Sequence, residues 1–183
     1  DARRALEAQG VQLLVALVQD KARVYPGQLP WGRYPAYNRS RYADGLAGLR
    51  ARGVPVVDLL PVLAADAQAR PTYCRTDTHW NTRGAALAAQ AIARQVLANG
   101  TCEPATRYAT HVGKVEARPG DLLRMMGLEH VPNAFRPAPD REAPATTEAT
   151  TAADAGGLGL FGDASVPVVL TGIRIVLVQN IGL

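Results

Sequence analysis

Short apolar runs that alternate with helical patterns limit the folds open to this chain more than any other feature does. Residues 11–18 bring together Val11, Leu13, Leu14, Val15, Ala16, Leu17 and Val18 behind Gly10. A run this short and this continuous predicts a strand covered on both faces, as in parallel sheets. Pro26 and Pro30 then break the chain into a loop. Residues 37–52 set Tyr42, Leu46 and Leu49 on one helical face, and Gly53 follows as a terminator. A second strand is expected over 54–59, starting near Pro55, because proline cannot donate to a ladder. A short helix over 61–69 and a loop from Pro71 to about Asn81 come next. A long Ala-rich helix over 83–97, capped by Thr82 and closed by Asn99 and Gly100, completes the rhythm. Patterning is weak over 101–140. Residues 137–157, rich in Ala, Thr, Pro and Glu, read as a flexible insertion or linker. Residues 166–170 read as a further buried strand ending at Thr171 and Gly172. The expectation is one α/β domain over 1–183, a parallel sheet with flanking helices, incomplete at its C-terminal end.

Composition narrows the class. With 183 residues, 48% hydrophobic and 20% charged, the chain can build a substantial core. The formal net charge is +4, but no Lys/Arg run occurs, so a solvated surface is expected and not a nucleic-acid patch. The same mild positive field suits an anionic polymer. No stretch approaches the roughly 20 apolar residues of a membrane span. The chain opens at Asp1 without Met or a visible leader, and reads as a fragment or a mature form. Cys74 and Cys102 allow one disulfide or two buried thiols; their spacing does not suit zinc.

Residues 73–81 carry the chemistry. Asp77 and His79 are two apart, so in an extended stretch they point to one side. The Asp77 carboxylate can then reach one imidazole nitrogen and leave the other facing a cleft. That is the orienting half of a nucleophilic triad. The plainer alternative is a turn-capping Asp77 and a surface His79. His111 and His130 fit no compact ligand spacing with His79, so no metal site is expected. Tyr25, Trp31, Tyr34 and Tyr37 allow either packing or a sugar-stacking platform.

Asp77, Thr78, His79 and Trp80, followed by Asn81, Gly84 and Ala85, resemble the SGNH-hydrolase-like domains of the alginate O-acetyltransferases, the AlgX/AlgJ type. Asp20, Lys21, Ala22, Arg23, Val24, Tyr25 and Pro26 are similar to the segment after that family's first strand. Residues 53–59 are similar to its second strand, and Pro119, Gly120, Asp121 and Leu122 to a later Gly-Asp-Leu turn. The resemblance spans residues 9–172. It implies a flavodoxin-like sheet, a periplasmic location and exopolysaccharide O-acetylation without a cofactor. Catalytic roles fall on Asp77 and His79, and substrate contacts on Lys21, Tyr25, Arg75 and Trp80. The partners it implies are an anionic, alginate-like acceptor and an acetyl donor, which a membrane-bound acetyltransferase can supply.

The family order also implies a serine directly after the late strand, in a Gly-Thr-Ser-x-Ser turn. Here Gly172 is followed by Ile173, Arg174 and Ile175, and no serine occurs from there to Leu183. Ser40 falls in a helix and Ser165 precedes the strand. With common codons, a one-base shift after Gly172 turns the tail into a serine-rich stretch of the expected kind. Residues 173–183 are therefore either a frameshift product or the sequence of a serine-less homologue, inactive as written. A polysaccharide-binding scaffold and a carbohydrate acetylesterase stand as alternatives to acetyl transfer.

Overall fold

A computed structural model describes residues 2–30, 34–98, 107–150 and 173–179. The chain read as one domain divides into two compact units, residues 1–65, 88–104 and 169–183 in one and 66–87 with 105–168 in the other.

The first unit is built on a parallel sheet in the order β2-β1-β7, with β1 at Gln12–Val18, β2 at Val56–Asp58 and β7 at Ile173–Gln179. Leu14, Val15, Ala16 and Val18 are all buried, which covers β1 on both faces as its apolar run predicts. Val15 pairs with Val56 on one side, and the whole of β1 pairs with β7 on the other, Gln12 opposite Ile173 through Val18 opposite Gln179. The tail that looked atypical in sequence thus supplies a seven-residue parallel strand. The strand expected at 166–170 lies outside the described residues.

Helix α1 (Ala2–Glu7) precedes β1, and α3 (Ala36–Ala51) connects towards β2. Tyr42 and Leu46 of α3 are buried, on the face expected from their spacing. Arg3 donates to the carbonyl oxygens of Arg52 and Gly53 at 3.0 and 2.7 Å, which satisfies acceptors left over where α3 ends. Helix α2 (Lys21–Val24) is capped by Asp20, whose Oδ1 accepts from the Arg23 amide at 2.8 Å. The Arg23 guanidinium lies 4.6 Å from the Tyr34 ring centroid and donates to the Asn38 carbonyl at 2.7 Å. Tyr34 donates to Asp20, and Tyr42 donates to Asp58. These bonds tie the ends of β1 and β2 to the segment that enters α3. The short helix expected over 61–69 is only α4, Leu60–Ala64.

The second unit departs further from expectation. Helix α5 (Thr82–Ala98) begins here, but its cap is Asn81, whose Oδ1 accepts from the Gly84 amide at 2.9 Å. Thr82, expected as the cap, is the first helical residue. Strands β3 (Arg107–Val112) and β6 (Ala145–Thr150) form an antiparallel ribbon, as do β4 (Glu116–Arg118) and β5 (Asp140–Glu142). Between them lies α6, Asp121–Met125. The segment 137–157, read as a flexible insertion, therefore contains two strands; 151–157 lie outside the described residues. Residues 145–149 are exposed, so no apolar alternation marked them. Backbone pairing and a Thr110–Thr147 hydroxyl contact at 3.0 Å hold the ribbon.

Candidate active site

The loop before α5 closes on itself. Tyr73 and Trp80 form an antiparallel bridge, the Cys74 amide donates to the His79 carbonyl at 3.1 Å, and the Asn81 amide to the Thr72 carbonyl at 3.0 Å. Its tip, Arg75 to Thr78, is held by carboxylates from distant parts of the second unit. Asp140 accepts from the Arg75 amide at 2.6 Å and from the Thr76 amide and hydroxyl at 2.7 and 2.5 Å. Asp121 accepts from the Thr78 amide at 2.7 Å and from the Thr78 hydroxyl. Glu142 accepts from the Thr82 amide and hydroxyl at 3.0 and 2.6 Å. Two glycines let backbone approach backbone. A Cβ on Gly84 would lie 2.1 Å from the Thr72 carbonyl oxygen, and one on Gly120 would lie 1.9 Å from that of Thr76.

Within this frame Asp77 and His79 meet. Asp77 Oδ1 lies 2.6 Å from His79 Nδ1 and accepts from the His79 amide at 2.9 Å, while Oδ2 accepts from the Asp121 amide at 3.2 Å. An ionised Asp77 only accepts, so the Nδ1–H donates to it, and in the neutral ring the lone pair is on Nε2. The Asp77 side chain is 9% exposed, against 59% for His79. Burial pushes the Asp77 carboxyl up, but the His79 amide, the His79 ring, the Asp121 amide and the histidine's charge outweigh it. The carboxyl is held below its ordinary value. A carboxylate so depressed stabilises the fold above its unfolded pKa of about 3.9, and that contribution is lost as pH falls through the folded value. Asp77→Asn is therefore expected to lower stability at pH 7 and to flatten the acid limb below about pH 4. Urea unfolding from pH 2 to 7 measures both; an acid limb identical in slope to the parent's would count against this account.

His79 and Trp80 line an open cleft of about 460 Å³ together with Glu116, Arg118, Glu142 and Pro144. Of the residues singled out in the sequence, Asp77, His79 and Trp80 come together here. Arg75 is exposed on the same loop, and its amide is tied to Asp140. Lys21 and Tyr25 belong to the first unit, where Tyr25 is 5% exposed and offers little ring to a ligand. Sequence reasoning missed Arg118, Asp121, Asp140 and Glu142 as parts of this loop's surroundings. Among the described residues the Arg118 guanidinium makes no ion pair. Cys74 is a buried thiol pushed up to about 11 by burial and then by the charges of Glu142, Asp140 and Asp77, so it stays protonated and is a poor nucleophile. Cys102 lies outside the described residues. Asp77, His79 and Asp121 offer three ligand-type atoms within 4.8 Å of one another, but Nδ1 and the carboxylate oxygens are engaged in the hydrogen bonds above. The geometry is that of an imidazole held by a carboxylate. His111 sits on β3 and His130 ends a 3-10 turn, Leu128–His130; both are exposed.

Comparison with known proteins places the chain in a family. Residues 1–177 match the family described as SGNH hydrolase-like domain, acetyltransferase AlgX. The chain is 34% identical over 171 residues to the probable alginate O-acetylase AlgJ of Pseudomonas aeruginosa, which covers 90% of this chain and 44% of that protein. It is 36% identical over 175 residues to the protein of the same name from Pseudomonas putida, with 93% and 44% covered. The chain thus spans less than half the length of these relatives. Among solved structures, the O-acetyltransferase domain of Pseudomonas putida AlgJ superposes with a TM-score of 0.72 at 31% identity, over 80% of this chain and 52% of that one. Pseudomonas aeruginosa AlgX shares the fold, with a TM-score of 0.63 at 20% identity over 86% of this chain and 38% of that one. Among the described residues no helix is long and apolar enough to cross a membrane.

Proposed function

Since the chain belongs to the AlgX-type family of SGNH hydrolase-like acetyltransferase domains, we propose that it carries the acid–base half of an O-acetyl transfer centre acting on an alginate-like polysaccharide in the periplasm. One observation carries the reading. The Asp77–His79 bond of 2.6 Å orients a largely exposed imidazole that lines an open cleft. In the proposed cycle a serine hydroxyl attacks the acetyl carbonyl and His79 takes its proton. The donor's leaving group departs with that proton, which leaves an acetyl-serine. A sugar hydroxyl then gives its proton to His79 and attacks the acyl carbon, and the serine oxygen leaves with that proton, which restores the free serine and the neutral imidazole. Asp77 holds the ring and balances the imidazolium at each stage. The acetyl donor would be delivered by a separate, membrane-bound acetyltransferase.

The serine is the family's expected partner to this pair, and reading the coding DNA beyond codon 172 in all frames tests whether one is encoded there. The absence of serine from Ile173 to Leu183 favours, as a second reading, a binding domain that keeps the cleft without the chemistry. Incubating the full-length protein with an acetyl ester and mannuronate oligomers separates them. Acetylated oligomers in the mass spectrum support transfer. Acetate released without transfer selects an esterase. Oligomer binding with neither product selects the binding domain.

Arg118 and Trp80 are the proposed acceptor contacts, a guanidinium for a uronate carboxylate and a ring for the sugar face. Because Arg118 is exposed, its ion pair is worth about 1 kcal/mol. Arg118→Gln is expected to raise KM for mannuronate oligomers about fivefold at low salt, with kcat little changed and the difference shrinking as salt rises. Steady-state kinetics at two ionic strengths test it, and an unchanged KM at low salt would remove Arg118 from the acceptor site.

A further inference from the structure

We propose that Asp121 is a positioning residue for the Asp77–His79 pair, acting through Thr78 and through its own backbone amide. The inference rests on the acetyl-transfer reading for its kinetic consequence, but not for its structural one.

The His79 side chain is 59% exposed, so packing does not fix the ring. Its orientation depends on the Asp77 carboxylate and on the path of residues 77–79. Asp121 controls both. Its carboxylate accepts from the Thr78 amide at 2.7 Å and from the Thr78 hydroxyl, which pins the residue between the two partners. Its amide donates to Asp77 Oδ2 at 3.2 Å, which turns Oδ1 towards the imidazole. The Thr78 hydroxyl gives its proton to Asp121 and therefore presents a lone pair elsewhere; Thr78 Oγ1 lies 3.4 Å from His79 Nδ1. Asp121 Oδ2 itself lies 3.6 Å from that nitrogen. Nδ1 thus faces one strong acceptor and two more distant oxygens, all arranged by one residue at the start of α6. Gly120 makes this possible, because any side chain there would strike the Thr76 backbone. The Leu122 amide adds a bond to the Thr76 carbonyl at 3.1 Å.

A misplacement of about 1 Å at an acid–base centre costs on the order of 100-fold in rate. Asp121→Ala removes both acceptors for Thr78. It is expected to lower kcat for acetyl transfer by on the order of 100-fold with KM for mannuronate oligomers little changed. Asp121→Asn keeps an acceptor for the Thr78 amide and is expected to restore most of that loss. A readout independent of turnover is the far-downfield proton resonance of the His79 Nδ1–H in the histidine-labelled full chain, assigned by its absence in His79→Ala. It is expected to be sharp in the parent, retained in Asp121→Asn and lost or exchange-broadened in Asp121→Ala. If Asp121→Ala does not fold, Thr78→Val, which removes only the hydroxyl, is expected to broaden the same resonance. The proposal is overturned if the folded Asp121→Ala or Thr78→Val protein keeps a sharp resonance, or if its kcat falls only with the folded fraction in a thermal melt. A parent that shows the resonance but transfers no acetyl refutes the functional reading and leaves the positioning role standing.

Discussion

His79→Ala is expected to reduce kcat for acetyl transfer by the full-length protein by on the order of 10⁴-fold, with KM for the acceptor nearly unchanged. The cleft walls survive the change, since Trp80, Arg118 and Glu142 stay in place. What disappears is the group proposed to take a proton from one hydroxyl and then from another. Asp77→Asn should fall almost as far, by on the order of 10³- to 10⁴-fold, because a neutral amide neither fixes the Nδ1–H tautomer nor balances the imidazolium. The double variant should be little worse than His79→Ala alone, because the two residues act as one unit. Steady-state kinetics on the three proteins decide the matter. A His79→Ala protein within tenfold of the parent would end the acid–base reading, whatever residual binding remained.

Gly120→Ala is expected to be the most damaging single methyl addition in the described part of the second unit. Its Cβ would sit 1.9 Å from the Thr76 carbonyl oxygen and 2.6 Å from the Asp77 amide nitrogen, and both are backbone atoms that cannot rotate away. Relief requires α6 to withdraw, and with it the bonds from Asp121 to Thr78 and Asp77. Overpacking of this kind costs about 3 kcal/mol or more, which corresponds to a fall in Tm of about 10 °C at this chain length. Gly45→Ala serves as the control, since nothing lies within 4 Å of its added methyl and it sits in α3. That change is expected to stabilise by about 0.5–1 kcal/mol. Thermal melts of the two variants should therefore move in opposite directions, and a Gly120→Ala protein with the parental Tm would show that the loop and α6 are not in contact.

The legible part of the sequence is that governed by apolar burial. The run at 11–18 announced β1, and Tyr42 and Leu46 announced the buried face of α3, because burial selects residue types that periodicity can detect. The Asp77-x-His79 pair was visible for a different reason: its geometry is local, two residues in one extended stretch. The rest of the site was not visible, because Asp121, Asp140 and Glu142 act on the loop from 43 to 65 positions away. A carboxylate that accepts a distant amide leaves no pattern at its own position. Strand β6 was misread for a related reason, being exposed and Thr-rich, so that composition pointed to a linker while backbone pairing made a ribbon. Thr82 was misassigned as a cap because Asn81 and Thr82 are both competent caps, and sequence alone cannot choose between neighbours.

The distance along the chain between the loop and its carboxylates bears on how the protein is made. Synthesis delivers Asp77 and His79 well before Asp121 and longer still before Asp140, whose bonds to Arg75 and Thr76 span 65 and 64 positions. Such contacts repay the entropy of loop closure only once the whole intervening segment has emerged. A nascent chain halted near position 120 therefore carries Asp77 and His79 but none of the three carboxylates that shape their loop. The loop that orients His79 against Asp77 is therefore completed only near the end of folding, so in a partly made chain the proposed centre is not yet assembled.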